Sequence, residues 1–150
     1  MSEKGSWPEG FFPHLTNGNF KITSPIDSNY NCFAWAIEEK SIKYAPFPFD
    51  LYSWPNHINR EDKLDSFFKF YSDYGYKLCK NGRKEKGFQK IALYTKEIDG
   101  ELTATHVARQ LPNGKWTSKI AGYEDIEHRT VHNLAGCHLG ETIYYLKRKI

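Results

Sequence analysis

Cys32 stands where the polar run Ser28-Asn29-Tyr30-Asn31 gives way abruptly to Phe33-Ala34-Trp35-Ala36-Ile37. A thiol in the first turn of a helix lies beside unpaired backbone N–H groups and the positive end of the dipole. That setting lowers a thiol pKa and favours the nucleophilic thiolate. Further along, Thr105-His106-Val107-Ala108-Arg109-Gln110-Leu111 reads as a strand with His106 at its start. A thiol and an imidazole are what acyl transfer requires: the sulfur attacks, and the imidazole holds the thiolate and then protonates the leaving group. The competing reading of Cys32 is an inert core residue, free cysteines being among the most buried types.

An imidazole base needs a third group to orient it. Alternation puts His106, Ala108 and Gln110 on one face of their strand and Val107, Arg109 and Leu111 on the other. A three-residue turn at Pro112-Asn113-Gly114 sets Leu111 opposite Lys115, which brings Ala108 opposite Ser118 and His106 opposite Ile120. Ser118 is then diagonal to His106 and is the first choice of orienting residue. Asp125, on the segment that follows, is the alternative acceptor. Asn31 either donates to an oxyanion beside the Cys32 N–H or simply caps the helix. Trp54, followed by Pro55, either lines a cleft or packs. Cys79 and Cys137 lack any such setting. His128, His132, Cys137 and His138 lack the paired spacing of zinc sites, and no phosphate-cradling glycine loop exists, so neither metal nor cofactor is expected.

The elements that must position these groups can be read along the chain. Residues up to about 30 carry prolines and glycines among scattered aromatics, an irregular wrapping segment. A first helix is predicted from Asn31 to Lys40, apolar on all sides and therefore central. Pro46, Pro48 and Pro55 break the chain into a loop bearing Phe47, Phe49, Tyr52 and Trp54. A second helix follows, with Asn59 as cap, Leu64, Phe67, Phe68 and Tyr71 on one face, and Gly75 as terminator. Lys80 to Gly87 is a charged connection. Strands are expected at 88–95, 102–111, 115–120 and 142–149, with a short helix somewhere in 123–134. Helices first and an antiparallel sheet afterwards make the expected class α+β, one domain over residues 1–150.

Composition narrows the field. The 150 residues carry a net charge of +3, too little to imply a nucleic-acid partner, and 16% are aromatic. Three cysteines form no even disulfide framework. The N-terminus shows no apolar signal, and no stretch is long enough to span a membrane, so a cytoplasmic protein without a membrane partner is expected.

Asn31-Cys-Phe-Ala-Trp-Ala, Trp54-Pro55, Gly87-Phe-Gln-Lys-Ile-Ala-Leu-Tyr, Thr105-His-Val-Ala-Arg-Gln-Leu, Trp116-Thr-Ser-Lys and Glu124-Asp-Ile-Glu-His together resemble a bacterial domain family of unknown function. More remotely, the order of Cys32, His106 and a polar residue on the next strand is similar to papain-like NlpC-type and CHAP-type cysteine hydrolases. That resemblance implies a papain-like fold with the Cys32 helix packed on the sheet. Ser118 departs from the residues usual in the third place, and the export signals of the secreted branches are missing. The function expected is hydrolysis or acyl transfer at an amide, isopeptide or ester bond through a Cys32 thioester, on a peptide, protein or small amide. The alternative is a catalytically silent binding or immunity-type domain contacting partners through Phe47 to Trp54.

Overall fold

Strand-forming runs set the architecture. In the computed structural model, which describes residues 4–48 and 51–150, β1 (Phe20–Ile22), β2 (Lys77–Cys79), β3 (Phe88–Ile98), β4 (Glu101–Gln110), β5 (Trp116–Lys119), β6 (Asp125–His128) and β7 (Thr142–Lys149) form one sheet. Its order is β1-β6-β5-β4-β3-β7-β2 and every neighbouring pair is antiparallel. Among the described residues two α-helices accompany it, α1 (Cys32–Trp35) and α2 (Leu64–Ser72). Phe49, expected on the proline-rich loop, lies outside the described residues.

The α+β, papain-like arrangement is therefore corrected: the class is sheet-dominated. Three local causes account for the difference. The helix expected over residues 31–40 stops after a single turn, because Glu38 turns left-handed (φ 62°) while Glu39 N–H reaches Ala34 O at 3.0 Å and Glu38 N–H reaches Trp35 O at 3.0 Å. This is a Schellman termination made without glycine. The wrapping segment contains a three-residue edge strand, β1, and another, β2, directly precedes the charged connection. The region expected to be helical supplies β6, followed by a 3-10 turn at Val131–Asn133.

The second helix forms with the expected buried face. Phe67, Phe70 and Tyr71 are 1%, 0% and 0% exposed, Leu64 and Phe68 pack alongside, and Gly75 ends the helix at φ 89°. Its cap is Lys63 instead of Asn59, with no side-chain bond. The hairpin from β4 to β5 pairs Arg109 with Thr117 and Gln110 with Trp116, the register that the Pro112-Asn113-Gly114 turn dictates.

Apolar side chains cover both sheet faces, so the central strands are buried on each side. On the helical face Cys32, Trp54 and Phe70 pack against Ile91, Leu93 and Val107. On the other, Phe12, Val131 and Leu134 pack against Tyr94, Ala108 and Ile126. Gly140 approaches β3 so closely that a Cβ there would meet Thr95 O at 1.9 Å, and its φ of +90° suits glycine.

Phe70 stacks on Trp54 with ring centroids 4.8 Å apart and 14° between planes. Phe70→Ala is expected to lower unfolding free energy in urea by about 3–5 kcal/mol, whereas Leu78→Ser, at a 57% exposed edge position, shifts it by less than about 0.5 kcal/mol.

Candidate functional site

Strand β4 carries both the imidazole and the surface against which the thiol packs, and alternation separates them. Val107 points to the helical face and lies in the same core cluster as Cys32. His106 points to the opposite face, edge-on to Tyr94 at 5.2 Å between ring centroids. Cys32 and His106 are thus not brought together; the sheet stands between them.

The thiol itself is governed by two opposed effects. Its own N–H, that of Phe33 and the backbone of Val107 pull its pKa down, as expected at a helix start. Burial is larger and pushes it up to about 12. Cys32 is 8% exposed, and a helix of four residues sums few peptide dipoles. Cys79 is partly exposed and Cys137 exposed.

Asn31 is spent on architecture. Its Oδ1 accepts from Ala34 N–H and Tyr44 N–H, both at 3.2 Å, and its Nδ2 donates to Tyr44 O at 2.7 Å. It caps α1 and ties the 44–53 segment to it. Trp54 is 6% exposed and plugs the helical core, its Nε1 lacking a hydrogen-bond partner among the described residues.

Ser118 does meet His106: the imidazole Nε2 lies 2.9 Å from its Oγ. A second imidazole completes the arrangement, with His128 Nε2 2.7 Å from the same hydroxyl. His128 Nδ1 lies 2.8 Å from the carbonyl of Thr130, which only accepts, so Nδ1 carries the proton. In the neutral ring Nε2 then accepts from Ser118 O–H, and Ser118 in turn accepts from His106 Nε2–H. Ser118 and His128 are 0% exposed and His106 3%. Burial pushes the His106 pKa down to about 3, with the His128 charge adding to it, and burial pushes His128 to about 4. Both rings stay neutral near pH 7. The chain of hydrogen bonds holds β4, β5 and β6 together on that face.

Asp125 does not serve His106. It pairs across the hairpin with Lys119, on the face opposite Ser118, and accepts from Tyr30 O–H at 2.5 Å. Sequence reasoning missed His128 as a partner of Ser118 because it placed a short helix in 123–134, and the four residues of β6 are too few to display a strand period. It also missed Trp35 and Arg109. The Trp35 indole donates to Thr117 Oγ1 at 3.0 Å, the Arg109 guanidinium lies 4.9 Å from its ring, and Arg109 Nε donates to the Trp35 carbonyl at 3.3 Å.

A seven-stranded antiparallel sheet with a buried His-Ser-His chain, its lone helical thiol sealed on the far face, defines the class of domain. The chain belongs to the family described as Domain of unknown function (DUF7689), whose model matches residues 21–147. No curated protein and no solved structure matches it. No helix among the described residues is long and apolar enough to cross a membrane.

Two measurements bear on the His-Ser-His chain. Because both folded-state pKa values lie below the ordinary 6.5, the unfolded chain binds protons first as pH falls. Stability is therefore complete above about pH 6.5 and declines through pH 4, by several kcal/mol in urea titrations. Ser118→Ala leaves two buried ring nitrogens unpaired and is expected to lose about 1–3 kcal/mol at pH 7.

Proposed function

We propose that this chain acts as a polypeptide-binding domain and not through a Cys32 thioester. The observation that carries the reading is a large apolar side chain, Leu51, left in solvent on a groove whose base is tied by hydrogen bonds, with Phe47 exposed a few residues earlier in the chain. Leu51 is 70% and Phe47 61% exposed. The groove, about 470 Å³, is lined by Ser28, Asn29, Ser41, Ile42, Lys43, Leu51, Tyr52 and Ser53.

Its base is fixed from below. Ser53 N–H donates to Lys43 O at 2.9 Å and Ala45 N–H to Ser53 O at 3.2 Å, while the Asn31 side chain holds both backbone groups of Tyr44. Exposed apolar residues on a rigid support are the ordinary make-up of a recognition surface. Pre-organisation of this kind lowers the ordering entropy lost on association. Hydroxyl and amide groups along the groove suit a partner with backbone donors and acceptors, and Leu51 suits an apolar side chain. The smaller cleft at Lys21, Lys115 and Glu127 is less suited, because Glu127 already bridges both lysines at 3.7 Å.

Thioester chemistry would need an accessible thiolate with an imidazole in reach. Iodoacetamide treatment of the native chain at neutral pH is expected to modify exposed Cys137 and leave Cys32 intact until denaturant is added. Rapid native labelling of Cys32, half-maximal below the unperturbed ~8.5, would restore the hydrolase reading and overturn this one. Peptides selected from a displayed library on the wild-type chain are expected to lose roughly tenfold in affinity, about 1.4 kcal/mol, on Leu51→Asp. Selected peptides that bind Leu51→Asp and Phe47→Ser undiminished sink the assignment of the groove.

A further inference from the structure

Lys119 and Asp125 face each other across the β5–β6 hairpin, 0% and 2% exposed. Two opposite charges removed from water are tolerated when they bond directly and every remaining polar atom is satisfied. Neither condition holds. Lys119 Nζ is 4.0 Å from Asp125 Oδ1, beyond hydrogen-bond distance, and Oδ1 is buried with no hydrogen-bond partner among the described residues. The amine donates instead to the carbonyl of Tyr123 and lies 4.6 Å from the centre of the Tyr30 ring. The other carboxyl oxygen, Oδ2, receives the Tyr30 hydroxyl at 2.5 Å.

The surroundings fit a different chemical species better. If Lys119 and Asp125 were joined as an amide, its carbonyl oxygen would be Oδ2, already provided with the Tyr30 donor. Its N–H would keep the Tyr123 carbonyl as acceptor. The one oxygen that leaves would be Oδ1, the one without a partner, and two buried charges would disappear together.

We propose that Lys119 and Asp125 condense into an intramolecular Nζ–Cγ amide with release of one water. A proton first passes from the Lys119 ammonium to Oδ1, giving a neutral amine and a carboxylic acid. The Nζ lone pair then attacks Cγ, and the C=O electron pair moves onto Oδ2, where the Tyr30 O–H stabilises the developing charge. One Nζ proton transfers to the Oδ1 hydroxyl. The Cγ–Oδ1 bond breaks with its electron pair on oxygen, water departs, and the Oδ2 carbonyl re-forms. Atoms and charge balance with no oxidant, nucleotide or metal.

Burial favours the reacting forms. It lowers the Lys119 amine from its ordinary 10.5 and raises the Tyr30 phenol, which therefore keeps the proton it donates. The hairpin holds the partners as neighbours, so the reaction draws on proximity of the kind that raises effective concentrations by orders of magnitude.

Intact-mass spectrometry of the purified, denatured chain tests this directly. The expected mass is lower than that of the sequence by one water, with trypsin failing to cut after Lys119 and fragment spectra joining the Lys119 and Asp125 side chains. A full sequence mass, cleavage after Lys119, or water loss located at any other residue overturns the proposal, whatever the variants do. Lys119→Met is expected to carry the full mass of its sequence. Asp125→Asn is expected to lose ammonia in place of water, with fragment spectra again joining the side chains of residues 119 and 125. Tyr30→Phe is expected to leave a fraction of the chain uncondensed that declines on prolonged incubation.

Discussion

Strand β4 lies between two apolar layers, and this two-sided burial governs what every residue along it can do. Val107 belongs to the helical core and Ala108 to the opposite one. A polar side chain placed on such a strand has no water to fall back on and must find a partner within the protein. His106 finds Ser118, and Ser118 finds His128. Arg109, near the end of the strand, lies against Trp35 and pairs with Glu38 at 3.6 Å. The polar contacts around the sheet are answers to one demand imposed by the two cores.

The same demand decides the chemistry of Cys32. A helix N-terminus stabilises a thiolate by roughly the energy of one partial charge, about 0.3–1 kcal/mol at an exposed site. Removing that thiolate from water opposes it with a larger free energy, and the thiol pKa rises instead of falling. Dipole and burial commonly occur together, since apolar helices start near cores. A cysteine at a helix start is therefore informative only once its depth is known.

Much of the fold was legible where local chemistry speaks for itself. Pro112-Asn113-Gly114 carries its own register, and from it the diagonal approach of Ser118 to His106 follows by counting. The face of α2 and its end at Gly75 were likewise written in spacing and in a left-handed glycine. What failed was short or long-range. Strands of three or four residues, β1, β2 and β6, contain too few positions to display a period. The early end of α1 rests on Glu38 in a conformation its side chain does not advertise. Which sheet face receives Cys32 depends on its packing in one cluster with Val107 and on the contact of its neighbour Phe33 with Phe67, tens of residues away, and no local motif encodes that choice. His128 escaped notice for the first reason, and the separation of thiol from imidazole for the last.

The margins of the sheet carry a consequence of their own. Its longest strands are interior, and the two outermost are three residues each, one with Lys21 at its centre and the other beginning at Lys77. A stranger's strand seeking to extend the sheet would meet only a few free backbone groups and a cation on each side. Self-templated stacking into fibrils is thereby discouraged, in a chain whose interior strands are rich in exactly the residues that stack.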